Sequence, residues 1–310
     1  MTEQLNIGVR FALYANMMLL FGLPFFGIYS LNAAERQQDA VFPFRAFTGW
    51  LSSLGIALSL LSITAMTASM MGVQLNEVDA ASIKTMIVDT PMGNAWAVRL
   101  LVLICILFAV ILSKTEGIHK LGFVTLGSGV ALGSLAWTGH GAASEGTAGS
   151  VQLIADIIHL LAAGAWLGSL AILTFILFRA GKAPSESYLK MGHRLLKGFS
   201  TIGTVIVSLI IASGLVNSWM LVGPNNLMTL QSTLYGQLLM VKLLLFGIML
   251  ALAAVNRFTL TPALERALQS TSPTLAVTKL QKSLVVELTL IVSIVGLVAW
   301  IGTYQPPSAM

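Results

Sequence analysis

The sequence predicts an all-α fold, a polytopic integral membrane helix bundle of eight transmembrane helices with both termini on the outer side. Three observations predict it. Hydrophobic residues make up 56% of the 310 residues and charged residues only 9%, with mean hydropathy +0.86, whereas a soluble domain carries about 25% charged residues. Eight continuous apolar runs each reach the roughly 20 residues that a helix needs to span a bilayer. The basic residues gather in alternate connections between those runs. The same composition excludes a disordered chain, and a lone cysteine, Cys105, excludes an intrachain disulfide.

The runs fall roughly at residues 6–30, 46–71, 93–113, 119–138, 150–178, 198–221, 234–256 and 283–303. They are continuous and not alternating, which argues against a membrane barrel. The first run has no small-residue cleavage site after a short apolar core, so it is expected to remain as a helix. The fourth carries Gly129-x3-Gly133 and the fifth Gly164-x3-Gly168, spacings that let helix backbones approach closely. The short segment Gly139–Gly146 joins these two runs, which predicts antiparallel neighbours and brings His140 near the top of the helix bearing His159. The longest connections are about 20 residues, so residues 1–310 are expected to form a single transmembrane domain.

Orientation follows from the charges. With the N-terminus outside, the inner loops hold thirteen of the seventeen basic residues, and the outer loops hold only Lys84. Arg10, Arg99 and Lys242 lie within spans. The positive-inside rule therefore places both termini outside, which in a bacterial inner membrane is the periplasm. The net charge of +5 is explained by insertion, and no nucleic-acid partner is needed. The bilayer itself is the predicted surrounding.

Sorting residues by depth shows a second asymmetry. Ten of the fourteen methionines, among them Met66, Met70, Met71, Met86 and Met92, fall toward the outer face. Thioethers are soft ligands that suit Cu(I); they are also ordinary apolar filling. His119 and His193 belong to basic loops. His140 ends Trp137-Thr138-Gly139-His140 at the outer end of the fourth span. His159 lies about nine residues into the fifth, with Asp156 one turn above on the same face. An ionisable pair at that depth must face protein or a wet cavity. It is either a metal site, with Asp156 as ligand or orienting partner, or a hydrogen bond that locks two helices. His159, Asp156, His140, Met70, Met71 and Met66 together make a mixed nitrogen, oxygen and sulfur set suited to copper as Cu(I) or Cu(II).

Arg10, Arg99 and Lys242 are expected to snorkel to the outer headgroups, with pairing of Arg99 or Lys242 to Asp156 as the alternative. Glu287 either pairs locally with Lys282 or marks the inner end of an ion path. No Walker A loop, Cys-x2-Cys pair or His-Glu-x2-His site is present in the sequence, and no enzyme activity is expected.

The segment His159-Leu160-Leu161-Ala162-Ala163-Gly164-Ala165-Trp166-Leu167-Gly168, with Trp137-Thr138-Gly139-His140 upstream, resembles the copper resistance protein D family (CopD/PcoD), most nearly the plasmid-borne PcoD type. Gly214-Leu215 with Trp219, Tyr235-Gly236 leading to Lys242, Asn256-Arg257, and Ser283 with Glu287 are similar to it as well. The resemblance implies a multi-pass inner-membrane component of a copper-resistance system. It also implies a small periplasmic copper-binding partner, the C protein. The expected function is binding of copper on the periplasmic side and its movement across the membrane, import being favoured. Two alternatives stay open: a copper-handling or assembly protein without transport, and a b-type haem electron-transfer protein with His140 and His159 as axial ligands. Haem would need both at one depth, and they are placed about 13 Å apart along the normal.

Overall fold

A computed structural model describes residues 2–113, 115, 117–139, 146–182, 186–223, 226, 230–269 and 274–309. Among them are eight helices long and apolar enough to cross a membrane. We name these α1 (Thr2–Ser30), α2 (Phe44–Met71), α3 (Pro91–Leu112), α4 (Ile118–Gly133), α5 (Gly146–Lys182), α6 (Glu186–Val222), α7 (Leu234–Val255) and α8 (Thr274–Ile301). A 3-10 turn, Ser134–Thr138, prolongs α4. A π-helical turn, Asn256–Leu260, and a short helix, Thr261–Leu268, prolong α7. No described residue lies in a strand.

All eight predicted runs correspond to helices. Several are longer than their apolar cores: α5 and α6 each reach 37 residues, and α8 starts nine residues before its apolar run. Once a helix has formed, each further residue adds a backbone hydrogen bond. Helical structure therefore continues into the basic segments beyond the apolar stretch. The connection between α2 and α3 forms an amphipathic helix, Ala80–Asp89, that the composition alone did not single out.

α1 and α5 form the centre of the bundle. α1 packs on α2, α4, α5 and α8, and α5 packs on α1, α4, α6 and α8. Glycine makes the central crossing possible. A Cβ at Gly168 would run into the backbone of Gly22, and one at Gly22 would run into the backbone of Gly164 and Gly168. The Gly164-x3-Gly168 spacing thus serves α1, while Gly133 on α4 lies against Ile157 of α5. Polar rungs reinforce the centre, since a satisfied hydrogen bond inside an apolar bundle fixes register. Asn16 donates to Leu51 O at 3.0 Å, and Tyr29 and Ser169 hydroxyls lie 2.9 Å apart.

The two ends differ in chemistry. Arg10, near the start of α1, donates to Thr138 O at 3.4 Å and lies beside Gly302, just past α8. The start of α1 and the ends of α4 and α8 therefore share one end with Met66, Met70, Met71, Met86 and Met92. The other end holds the basic loops, where Arg194 pairs with Glu35 and Gln281 donates to Leu177 O at 2.9 Å.

Candidate functional site

Asp156 and His159 face α6 and meet it in two rungs. Asn217 Nδ2 donates to Asp156 Oδ1 at 2.8 Å, and His159 Nδ1 lies 3.0 Å from Ser213 Oγ. α5 and α6 run antiparallel, so a pair three apart on one helix meets a pair four apart on the other. The imidazole lies beside Gly214 of α6, where a Cβ would come within ordinary contact distance, 3.5 Å, of the ring's Cε1.

The hydrogen-bond chain suits one imidazole tautomer. Ser213 Oγ donates its hydrogen to Leu209 O at 2.6 Å, so the oxygen is left to accept from Nδ1–H of His159. The lone pair on Nε2 then has no partner among the described residues. This is the arrangement in which a histidine binds a metal, with its other ring nitrogen anchored. Asn217 Oδ1 is buried and has no hydrogen-bond partner among the described residues. A second oxygen acceptor thus stands next to the Asp156 carboxylate.

α7 contributes a cation. Lys242 lies near enough to Asp156 and His159 for a charge on it to be felt by both. Tyr235, one heptad earlier on the same face, is buried. Lys242 thus lies in the neighbourhood of Asp156, but no ion pair or hydrogen bond joins the two. Arg99 does not snorkel. It is 1% exposed, and its guanidinium donates to Ser59 Oγ at 3.2 Å and Ser134 Oγ at 3.3 Å. Its reach matches the hydroxyls of α2 and of the turn after α4, so the side chain is satisfied inside the bundle.

The methionines occupy a different part of the same end. Met70 and Met71 close α2 and are 65% and 49% exposed. α2 packs chiefly on α1 and α3, away from the α5–α6 rungs. Met66 turns inward and packs with Met86, Met92, Ile63 and Trp96. It also lines a cavity of about 40 Å³ with Arg10 and Arg99, whose charges oppose a cation there. Among the described residues no group of three or more His, Cys, Asp and Glu comes together to hold a metal ion. His140 lies outside the described residues. Its neighbour Gly139 sits beside the site, where a Cβ would be 3.9 Å from Asp156 Oδ2.

Glu287 does not pair with Lys282. It is 1% exposed and turned into the bundle, where Trp166 Nε1 donates to Oε1 at 3.1 Å and Asn256 Nδ2 donates to Oε2 at 2.7 Å. Two fixed neutral donors hold this carboxyl on the buried face of α8, away from the exposed Lys282. Sequence reasoning singled out neither Ser213 nor Asn217, although two polar residues four apart inside the apolar run of α6 are the signal of a shared polar face.

Fold and site together define a polytopic helical membrane protein that keeps a histidine–carboxylate centre inside its bundle. The chain belongs to the copper resistance protein D family. Residues 1–150 match the model of the copper resistance protein D-like N-terminal domain, and residues 193–301 match that of copper resistance protein D. Copper resistance protein D of Pseudomonas syringae pv. tomato is 41% identical over 308 residues, covering 99% of this chain and 98% of that one. The inner membrane protein YebZ of Escherichia coli (strain K12) is 28% identical, covering 84% of this chain and 86% of that protein. The copper transport protein CutJ of Bacillus subtilis (strain 168) is also 28% identical, covering 81% of this chain and 46% of that protein. No solved structure matches. Asp156 and His159 fall between the two matched stretches, and their partners Ser213, Asn217 and Lys242 fall within the second.

Proposed function

We propose that this protein binds copper at its methionine end and carries it across the bacterial inner membrane toward the cytoplasm. Residues 1–310 act in this reading as one transmembrane unit, with both termini in the periplasm. The gathering of basic residues at the opposite end supports that orientation. One observation carries the function: two rungs to α6 hold Asp156 and His159 and leave a carboxylate and an imidazole Nε2 for a cation. The exposed thioethers of Met70 and Met71 are the first contacts for copper arriving from a small periplasmic donor of the C type. Met66, lying deeper, is a weaker ligand because Arg10 and Arg99 share its cavity. His140 would complete the nitrogen donors, as the residue after Gly139. Soft sulfur at the entry and harder nitrogen and oxygen inside accommodate copper in either oxidation state.

The test is metal analysis of purified protein after exposure to Cu(I) and Cu(II). His159→Ala and Asp156→Ala each lose most of the bound copper, and His193→Ala keeps it. Equal binding in all three overturns the site. Transport is read separately, from proteoliposomes enclosing a copper-sensitive dye. A response equal to that of empty liposomes removes movement across the membrane and leaves copper handling alone.

A further inference from the structure

We propose that Glu287, Asn256 and Ser283 form a proton-binding station in the bundle, separate from the Asp156–His159 centre. Trp166, which donates to Glu287, lies seven residues beyond His159 on the same face of α5, about 10 Å along the helix toward the basic end. The station does not depend on copper passing through the protein.

The first ground is charge. A carboxylate buried among apolar helices is costly unless a cation neutralises it, and none of the ion pairs among the described residues includes Glu287. The charged groups on the surrounding elements are engaged or remote. Arg257, next to Asn256, is exposed, donates to Thr204 and lies over the Phe258 ring. Lys279 and Lys282 on α8 are exposed. His193 and Lys197 on α6 approach Glu265, and Phe199 of that helix stands edge-on to Trp166. Asp156, His159 and Lys242 belong to the other centre, and Arg10 on α1 lies at the far end. The two groups that do touch Glu287, an indole and an amide, are neutral.

The second ground is a pair of acceptors without donors. Asn256 Oδ1 and Ser283 Oγ are both unpartnered, in residues that are 7% and 8% exposed. Ser283 is exceptional on α8, since Thr278, Thr289 and Ser293 each donate back to the carbonyl four residues earlier. It precedes Glu287 by one turn on the same face, on the side of the basic end.

These groups describe two states of one site. With Glu287 ionised, Asn256 Nδ2–H donates to Oε2, as in the structure. With a proton on Oε2, a half-turn of the Asn256 amide brings Oδ1 into the same place, and the carboxyl O–H donates to it. On release the proton leaves Oε2 for water and the amide turns back, with the unpartnered Ser283 hydroxyl one turn away on the side of the basic end. Carboxyl, amide and hydroxyl oxygens are hard ligands, poorly matched to Cu(I); the ligand assigned to this site is a proton.

Infrared difference spectroscopy on the full-length protein in lipid, with pH steps and exchange into D2O, tests this. A carbonyl stretch of a protonated carboxylic acid is expected, deuterium-sensitive, kept in Asp156→Asn and lost in Glu287→Gln. Trp166→Phe keeps the carboxyl but removes one donor, so the band stays and changes frequency; this arm decides if Glu287→Gln fails to fold. The proposal is overturned if no such band is found, if it survives in Glu287→Gln, if it is unshifted in Trp166→Phe, or if sodium chloride at constant pH abolishes it.

Discussion

Asn217 on α6 holds the carboxylate of Asp156 on α5, donating from Nδ2 to Oδ1 at 2.8 Å. The bond fixes the orientation of the carboxylate. With the His159–Ser213 rung below it, it sets the spacing of the two residues proposed to bind copper.

Replacing Asn217 by Leu is therefore expected to weaken copper binding without removing a proposed main ligand. Loss of a group that orients a metal ligand typically costs roughly 10- to 100-fold in affinity. Competition with a chromophoric chelator reads the change. Ser213→Ala should fall in the same range, because it frees His159 to take the other tautomer. Affinity within twofold of wild type in both variants would mean that the rungs only join helices.

Lys242 should act in the opposite direction. A positive charge on it, close to Asp156 and His159, opposes a second cation at the site. Lys242→Met keeps the length and apolar stem of the side chain and removes the charge. Copper affinity is expected to rise by roughly tenfold or more, since about 1.4 kcal/mol is a factor of ten. Release should slow correspondingly, so proteoliposome flux falls while binding tightens. Weaker binding in this variant would make Lys242 an organiser of the site and not a competitor.

How far the sequence carried the fold and the site is visible in these residues. The eight helices were legible because a span needs only length and apolarity. Asp156 and His159 were legible because ionisable residues inside a span are rare. Their partners were not, because Ser213 and Asn217 are common in membrane helices and acquire meaning only once α5 and α6 are set antiparallel in register. Arg99 was misread for a related reason. Its depth suggested the headgroups, and only the packing of α2 and the turn after α4 supplied Ser59 and Ser134. The Gly164-x3-Gly168 spacing announced a close crossing, but its partner, Gly22 on α1, is distant in sequence.

That crossing makes a stability prediction. Gly168→Val places a side chain where the backbone of Gly22 already lies. The neighbour is backbone and not the tip of a flexible side chain, so the cost should exceed the roughly 1–3 kcal/mol typical of overpacking. Gly198→Val meets open space and serves as the control. Thermal stability followed by size-exclusion chromatography in detergent should show Gly168→Val largely aggregated and Gly198→Val close to wild type.

Asp79 gives a prediction with a defined pH sign. Its carboxyl caps the helix Ala80–Asp89, accepting from Ser82 N at 2.7 Å. Hydrogen bonds from the Ser82 side chain and backbone hold it below the ordinary carboxylate range. A carboxyl whose value is lower when folded stabilises the helix above the ordinary carboxylate range, and loses that effect as the pH falls through its own lower value. Hydrogen exchange at residues 83–86, corrected for the intrinsic pH dependence of exchange, should show protection at neutral pH that declines under acid. Asp79→Ala should lose protection at neutral pH, and its difference from wild type should shrink under acid. Asp79→Asn caps without titrating, so its protection should stay nearly level across the range. Met86 packs from this helix onto Ile63 and Trp96, so loss of the cap should also loosen Met66. A fluorescence change at Trp96 that follows the same pH course in wild type, and is flat in Asp79→Asn, would confirm that the cap and the methionine cluster are linked.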